Sequence, residues 1–393
     1  MYEDLLNSKN FCILPFVHAH ISTTGDSQPC CINFDETFGN VNELGIDHVY
    51  SKNNQKLIDF RKNMLQGGSL PQSCFRCSLP ESYGNDNSYR ITSNKAYGNL
   101  LKDVDDILNN ENIYLWDVRF SNLCNLKCRM CGPDASSRIA EEQGAAKALN
   151  KSFDQYADFF EIFIKNIEHV TEFYFCGGEP LMMEEHYKVL DLLIQHKRFD
   201  VKLRYNSNLT VLSLKDRNVI DYWKQFKNIT ISASIDAGWE QLSYIRHGAN
   251  WNSILKNLTI IRNDVPHVEL MVGAAVNILN AFHVFKMYKY LVSKSLIKSY
   301  EMYFMPVREE MSLSCLPEYK KKNVEIFWLY ELTDITDQNV VTSALALLKE
   351  MNSSTGTVDE LKQFIASTKK LDKRRNENFV EVFPELKDLL YYG

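Results

Sequence analysis

The chain has 393 residues, 45% apolar and 24% charged, a globular composition with length enough for two or three domains. Its formal net charge of −6 argues against bulk attraction to nucleic acid or an anionic membrane, partners normally met by basic surfaces. The opening MYEDLLNSKN is acidic and lacks the apolar core of a signal peptide, and the longest weakly polar run, around Leu270 to Leu279, is too short to span a bilayer, so a cytoplasmic protein is expected. Ten cysteines in a reducing compartment then point to metal binding or catalysis rather than to disulfides.

The amino-terminal stretch holds Cys12, Cys30, Cys31, Cys74 and Cys77. Phe16 to Ser22 alternates like a strand and Thr24-Gly25-Asp26 reads as a turn, so Cys12 and Cys30 are expected to meet across a hairpin. The Cys74-x-x-Cys77 pair completes four sulfurs, with Cys31 an alternative to Cys30. Such a set, with one CxxC, also describes a structural zinc site. His18 and His20 share one strand face and read as packing or hydrogen-bonding groups.

The middle of the chain alternates strand and helix. Apolar, β-branched runs occur at Ile113–Phe120, Val170–Cys176, Val201–Tyr205, Ile229–Ile235, Val268–Val276 and Tyr300–Met305. Segments with helical spacing lie between them, such as His186–His196 and Trp251–Ile261. The pattern predicts a parallel sheet with helical cover, and six units suit an open (β/α)6 barrel. Reactive groups in such folds gather at the carboxyl ends of the strands. Polar and glycine residues recur at that level: Cys124, Cys128 and Cys131 after the first run, Gly177-Gly178-Glu179-Pro180 after the second, Asn206-Ser207-Asn208 after the third, Ser234 and Asp236 at the fourth and Asn277 at the fifth.

Cys124-Asn-Leu-Lys-Cys128-Arg-Met-Cys131 offers three soft thiolates, one short of closing a four-ligand centre, which leaves a coordination position open. With its flanks, Arg119 to Pro133, this segment resembles the cluster loop of radical S-adenosylmethionine enzymes. The resemblance implies a partial (β/α)6 TIM-type barrel whose Cys124, Cys128 and Cys131 hold a [4Fe-4S] cluster with one open iron. It implies that Gly177, Gly178 and Glu179 meet the amino group of S-adenosylmethionine, that Ser234 contacts its sugar or carboxylate, and that Arg246 pairs with its carboxylate. Asn208 is a further candidate for this pocket, and Met130 would sit by the adenine. Met130, Leu209 and Ala237 depart from the family pattern without removing a metal ligand.

The amino-terminal spacing is similar to that of the twitch, or half-SPASM, domain. This implies an auxiliary [4Fe-4S] cluster held by Cys12, Cys30, Cys74 and Cys77, fully ligated and serving electron transfer. The implied organisation is a twitch/SPASM-like domain at 1–108, a radical S-adenosylmethionine barrel at 109–306 and a helical carboxyl-terminal extension at 307–393. The implied activity is reductive cleavage of S-adenosylmethionine to a 5′-deoxyadenosyl radical, which abstracts hydrogen from a peptide or small-molecule substrate. The expected electron donor is a low-potential protein such as flavodoxin or ferredoxin. An RNA-modifying radical enzyme and a non-catalytic iron-sulfur or zinc protein are the alternatives.

Beyond Met305 the barrel pattern ends. Val324–Leu332 and Val341–Met351 look helical, and Val358–Lys373 carries acids in its first turn and lysines in its last, favourable to the helix dipole. The basic runs at 320–322 and 369–375 read as solvated helix faces. Cys176 reads as a small buried residue at a strand end. Cys315 is read as a space-filling residue or a hydrogen-atom donor.

Overall fold

The computed structural model describes residues 2–66, 70–84, 86–353 and 356–392. The strands in chain order are β1 (His18–Ile21), β2 (Asp26–Gln28), β3 (Gly39–Asn40), β4 (Leu115–Val118), β5 (Lys127–Cys128), β6 (Glu172–Phe175), β7 (Lys202–Ser207), β8 (Ser213–Leu214), β9 (Arg217–Asn218), β10 (Ile229–Ser234), β11 (Arg246–His247), β12 (Glu269–Val276) and β13 (Met302–Pro306). All six runs expected as barrel strands form strands (β4, β6, β7, β10, β12 and β13). Helices intervene, including Tyr156–Asn166, Glu184–Gln195, Trp251–Asp264 and Val284–Ser293. The fold class is mixed α/β, with a partial (β/α)6 TIM-type core built on parallel strands.

The chain divides into two compact units, one of residues 1–123, 144–205 and 214–229, the other of 124–143, 206–213 and 230–393. In the first, the sheet runs β7-β6-β4-β1-β2-β3. β4, β6 and β7 are parallel, with Asp117 opposite Tyr174 and Tyr174 opposite Arg204. Alternation decides which side chains meet the helices. Trp116 stacks edge-on against Phe159 and Phe163 at 5.7 and 5.5 Å, and Phe173 against Phe163 at 5.6 Å. Trp116, Phe159, Phe163 and Phe173 are at most 1% exposed, each stabilising the unit by roughly 1.5–3 kcal/mol. The intervening residues, Asp117, Tyr174 and Arg204, face the other way.

The amino-terminal strand differs from expectation at its start. Leu14–Val17 is a helical turn with Pro15 in its first positions, and the strand begins only at His18. Proline fixes a helical φ and has no N–H to lose at a helix start, so it nucleates the turn. Beyond it, β1 joins β4 in parallel, placing His20 opposite Asp117, and forms the expected hairpin with β2 through Ser22–Asp26, with Gly25 at φ +87°.

In the second unit β10, β12 and β13 are parallel neighbours and β5 pairs antiparallel with β11. Its carboxyl-terminal part is helical, with Glu318–Leu332, Gln338–Ser353 and Val358–Arg375. The last has a capping box between Thr357 and Glu360, acids in its first turn, and Lys373, Arg374 and Arg375 in its last. Asn376 closes it at φ +53°. Among the described residues no helix is long and apolar enough to cross a membrane.

Candidate functional site

The cysteine loop belongs to the second unit. Its only regular element is the two-residue β5, so its shape comes from specific bonds. Ser136 Oγ donates to the Leu126 carbonyl at 2.6 Å, the Arg129 N–H to the Ile245 carbonyl at 2.8 Å, and the Cys131 N–H to the Cys128 carbonyl at 3.2 Å. The β5–β11 pairing sets Arg246 directly opposite Cys128.

Donors surround the sulfurs. The Leu126 N–H lies 3.5 Å from Cys124 Sγ, Asn208 Nδ2 3.9 Å from the same sulfur, and Arg246 Nη1 3.7 Å from Cys128 Sγ. Such donors favour thiolates and tune a bound iron-sulfur centre. Asn208 is fixed in turn by Asn125 Oδ1 at 3.1 Å and by the Thr210 N–H at 2.9 Å. The hydrogen bond between the Cys128 and Cys131 thiols raises the pKa of Cys128, with burial adding to it, and lowers that of Cys131.

Arg246 is 9% exposed and more engaged than its sequence position foretold. Its Nε and Nη2 donate to Asp236 Oδ2 and Oδ1 at 2.7 and 3.1 Å, and Asp236, fully buried, also accepts from the Ala275 N–H at 2.8 Å. Burial works to lower the guanidinium pKa, but Asp236 and Cys128 more than offset it and keep Arg246 charged. Two edges of its fork are thus committed to Asp236, leaving Nη1 beside Cys128 Sγ. Asp236 is the residue that sequence reasoning undervalued; its signal was a carboxylate at the carboxyl end of a barrel strand, two residues past Ser234. Ser234 closes β10 opposite Gly273, and Met130 stands half-buried between Arg129 and Cys131.

In the first unit, Gly177 and Gly178 follow β6 at φ +82° and +44°. A Cβ on Gly178 would lie 2.3 Å from the Leu123 carbonyl oxygen, the residue before Cys124, and one on Gly177 2.7 Å from Arg119 Cβ. Glycine is required at 178 by both dihedral and space. Glu179 donates its N–H to the Leu123 carbonyl at 2.7 Å and is 1% exposed.

The same unit brings Cys12, Cys30, Cys74 and Cys77 to the lining of one small cavity of about 30 Å³. Burial pushes Cys12 up to about 12 and Cys74 to about 11, and ligation of a metal centre there would release their protons. Among the described residues no three His, Cys, Asp or Glu side chains converge tightly enough to hold a single ion, at this cavity or at the Cys124–Cys131 loop. Cys31 faces elsewhere: burial raises its pKa to about 11, and its charged neighbours are Asp117 and Arg119. Cys176 is half-buried on that side. His20 Nδ1 meets Asp117 Oδ2 at 2.9 Å, while burial pushes His18 down to about 4. Both are interior groups, as their shared face implied.

The basic runs are partly consumed within the second unit. Lys320 and Lys321 are buried, pairing with Asp388 at 2.8 Å and Glu318 at 3.2 Å, and Arg375 pairs with Glu142 at 2.7 Å. Three of the cations counted as solvated are therefore internal. Cys315 is buried, with Glu360 Oε2 3.8 Å from its sulfur.

Residues 118–278 match the family model of the radical SAM superfamily, and residues 12–78 match that of SPASM, an iron-sulfur cluster-binding domain. No curated protein sequence matches the chain. Among solved structures, histidine-tagged anSMEcpe with bound AdoMet is 20% identical, with 57% of this chain and 60% of that chain covered and a TM-score of 0.40. Streptococcus suis SuiB bound to precursor peptide SuiA is 12% identical over 81% and 69% of the two chains, with a TM-score of 0.39. The match thus spans about 60% of the length of anSMEcpe. Residues 118–278 are thus a radical S-adenosylmethionine domain and residues 12–78, ahead of it in the sequence, a SPASM iron-sulfur domain, and the cofactors these domains imply are S-adenosylmethionine, the [4Fe-4S] cluster that binds it and an auxiliary [4Fe-4S] cluster.

Proposed function

We propose that the protein is a radical S-adenosylmethionine enzyme that abstracts hydrogen from a peptide or small-molecule substrate, with Cys124, Cys128 and Cys131 holding the open cluster. The observation that carries this reading is the pair of N–H groups, from Asn208 and Arg246, aimed at the sulfurs of Cys124 and Cys128. When bound and reduced, the cluster supplies the electron that splits S-adenosylmethionine into methionine and a 5′-deoxyadenosyl radical.

The residues do the rest. Asp236 locks Arg246 in one orientation, so that a fixed positive charge stands beside the thiolates and the anionic end of the cofactor. Asn208 orients the Cys124 sulfur, and Ser234 and Met130 are proposed contacts to the ribose or carboxylate and to the adenine. Gly177, Gly178 and Glu179 are proposed to receive the methionyl amino group.

Cys12, Cys30, Cys74 and Cys77 are proposed to close the auxiliary cluster, which then serves electron transfer rather than substrate ligation. We propose the segments 1–108, 109–306 and 307–393 as the domains, the cytoplasm as location, and flavodoxin or ferredoxin as electron donor. The test is 5′-deoxyadenosine release from S-adenosylmethionine by the dithionite-reduced protein. Cys128→Ala is expected to abolish it, and turnover unchanged in that variant refutes the assignment.

A further inference from the structure

The cysteine loop has two charged residues of its own, Lys127 and Arg129; the end of the helix Val358–Arg375 meets Arg129 directly and Lys127 through Glu142. Arg129, between Cys128 and Cys131, is 3% exposed at its side chain. Its Nη2 lies 2.7 Å from Asp372 Oδ1 and 2.5 Å from Glu377 Oε2, its Nε donates to the Tyr244 carbonyl at 3.0 Å, and its guanidinium stacks 3.6 Å over the Tyr244 ring. Asp372 is held by the Tyr244 hydroxyl at 2.5 Å and the Phe379 N–H at 2.8 Å. Glu377 also takes His247 Nδ1 at 2.6 Å, and His247 faces Lys127 across the β5–β11 pair.

A second knot lies beside the first. Glu142 accepts from Lys127 at 2.8 Å and from Arg375 Nη2 and Nε at 2.7 and 3.1 Å, and the Arg374 guanidinium caps the Glu142 carbonyl at 2.8 Å. The helix end is shaped for this. Asn376 adopts φ +53°, the chain reverses, and the Glu377 N–H returns to the Asp372 carbonyl at 3.0 Å, so that Asp372 and Glu377 reach the same guanidinium.

We propose that Asp372, Arg375 and Glu377 are positioning residues that clamp the cysteine loop, fixing the spacing of its three thiolates through Arg129 and Lys127. The inference rests on the reading that these cysteines hold the open cluster. A loop with one two-residue strand has little rigidity of its own, whereas a guanidinium held at Nη2 by two carboxylates, at Nε by the Tyr244 carbonyl and stacked on the Tyr244 ring is fixed in position and orientation together. The carboxyl-terminal helix is thereby a working part of the cluster site, and the clamp should act on the open cluster alone.

The test uses the full chain, reconstituted anaerobically, in the Asp372→Asn/Glu377→Gln variant, which keeps shape and removes both charges. Iron is expected to fall from about eight toward about four per chain, with the auxiliary cluster's paramagnetic signal retained and the KM for S-adenosylmethionine raised. Glu142→Gln, which removes the carboxylate shared by Lys127 and Arg375, is expected to lower loop-bound iron in the same way. Full iron with an unchanged signal in the double variant overturns the clamp, as does equal loss from both clusters with a lowered unfolding midpoint of the iron-free chain, the mark of a general structural role. Full loop-bound iron in Glu142→Gln also counts against it. Cys128→Ala separates the two claims: full iron there overturns the site assignment and the clamp with it, whereas full iron in the double variant alone overturns only the clamp.

Discussion

Gly178→Ala isolates the contribution of backbone shape at the end of β6. At φ +44° an alanine costs roughly 1–2 kcal/mol in dihedral strain alone. Its Cβ would also stand 2.3 Å from the Leu123 oxygen, 2.8 Å from Asn122 C and 2.9 Å from Leu123 C, all backbone atoms that cannot swing aside. The Leu123 peptide must move, breaking the 2.7 Å bond from the Glu179 N–H at about 1–3 kcal/mol for the buried groups left unpaired. The sum is roughly 2–5 kcal/mol. Two controls divide it. Gly144 has φ +77° with nothing within 4 Å of a built Cβ, so Gly144→Ala reports strain without collision. Gly132 has neither, so Gly132→Ala should change stability by less than about 0.5 kcal/mol. Urea midpoints of the three iron-free chains should fall in the order Gly178→Ala most, Gly144→Ala less and Gly132→Ala least, and only Gly178→Ala should weaken S-adenosylmethionine binding by calorimetry. A Gly178→Ala chain indistinguishable from Gly132→Ala on both counts would show that the close approach does not constrain this turn.

Asp236→Ala strands Arg246 as a buried unpaired charge and should destabilise the chain by about 3–5 kcal/mol, read by urea denaturation; a loss under about 1 kcal/mol contradicts the buried pairing. Cys30→Ser is expected to remove the auxiliary cluster's signal and Cys31→Ser to leave it, because only Cys30 lines the four-cysteine cavity; the reverse result makes Cys31 the ligand. Burial holds His186 down to about 3, against about 6.5 when unfolded. The unfolded chain therefore binds the extra proton between those values, and stability falls as pH drops from about 6.5 toward 3, by up to about 1.4 kcal/mol per unit. His186→Phe should flatten that acid limb in thermal scans, and an unaltered slope excludes the residue as its source.

Local periodicity made the barrel strands legible, because alternation of Trp116, Phe173 and Leu203 with polar residues survives in any register. The cysteine motifs were legible as well, since ligand spacing is written within a few residues. Pairings across long sequence separations were not. β1 lies beside β4 because His20 and Asp117, separated by 97 positions, fit one register, and no local pattern encodes that. Arg246 was visible as a cation near a cofactor, but its commitment to Asp236 depends on a turn bringing the two together. Arg129 and Lys127 gave no sign of partners near the carboxyl terminus or at Glu142, and the basic helix end that meets Glu142 read as a solvated face.

The central claim is that one cluster is open to S-adenosylmethionine and the other is closed by four cysteines. Electron paramagnetic resonance of the reduced, fully reconstituted protein, recorded with and without S-adenosylmethionine, tests it directly. The account predicts two signals, of which one shifts on addition of the cofactor, and predicts that Cys12→Ala removes or alters only the one that does not shift. A single signal, a shift in both, or loss of the cofactor-sensitive signal in Cys12→Ala would contradict it.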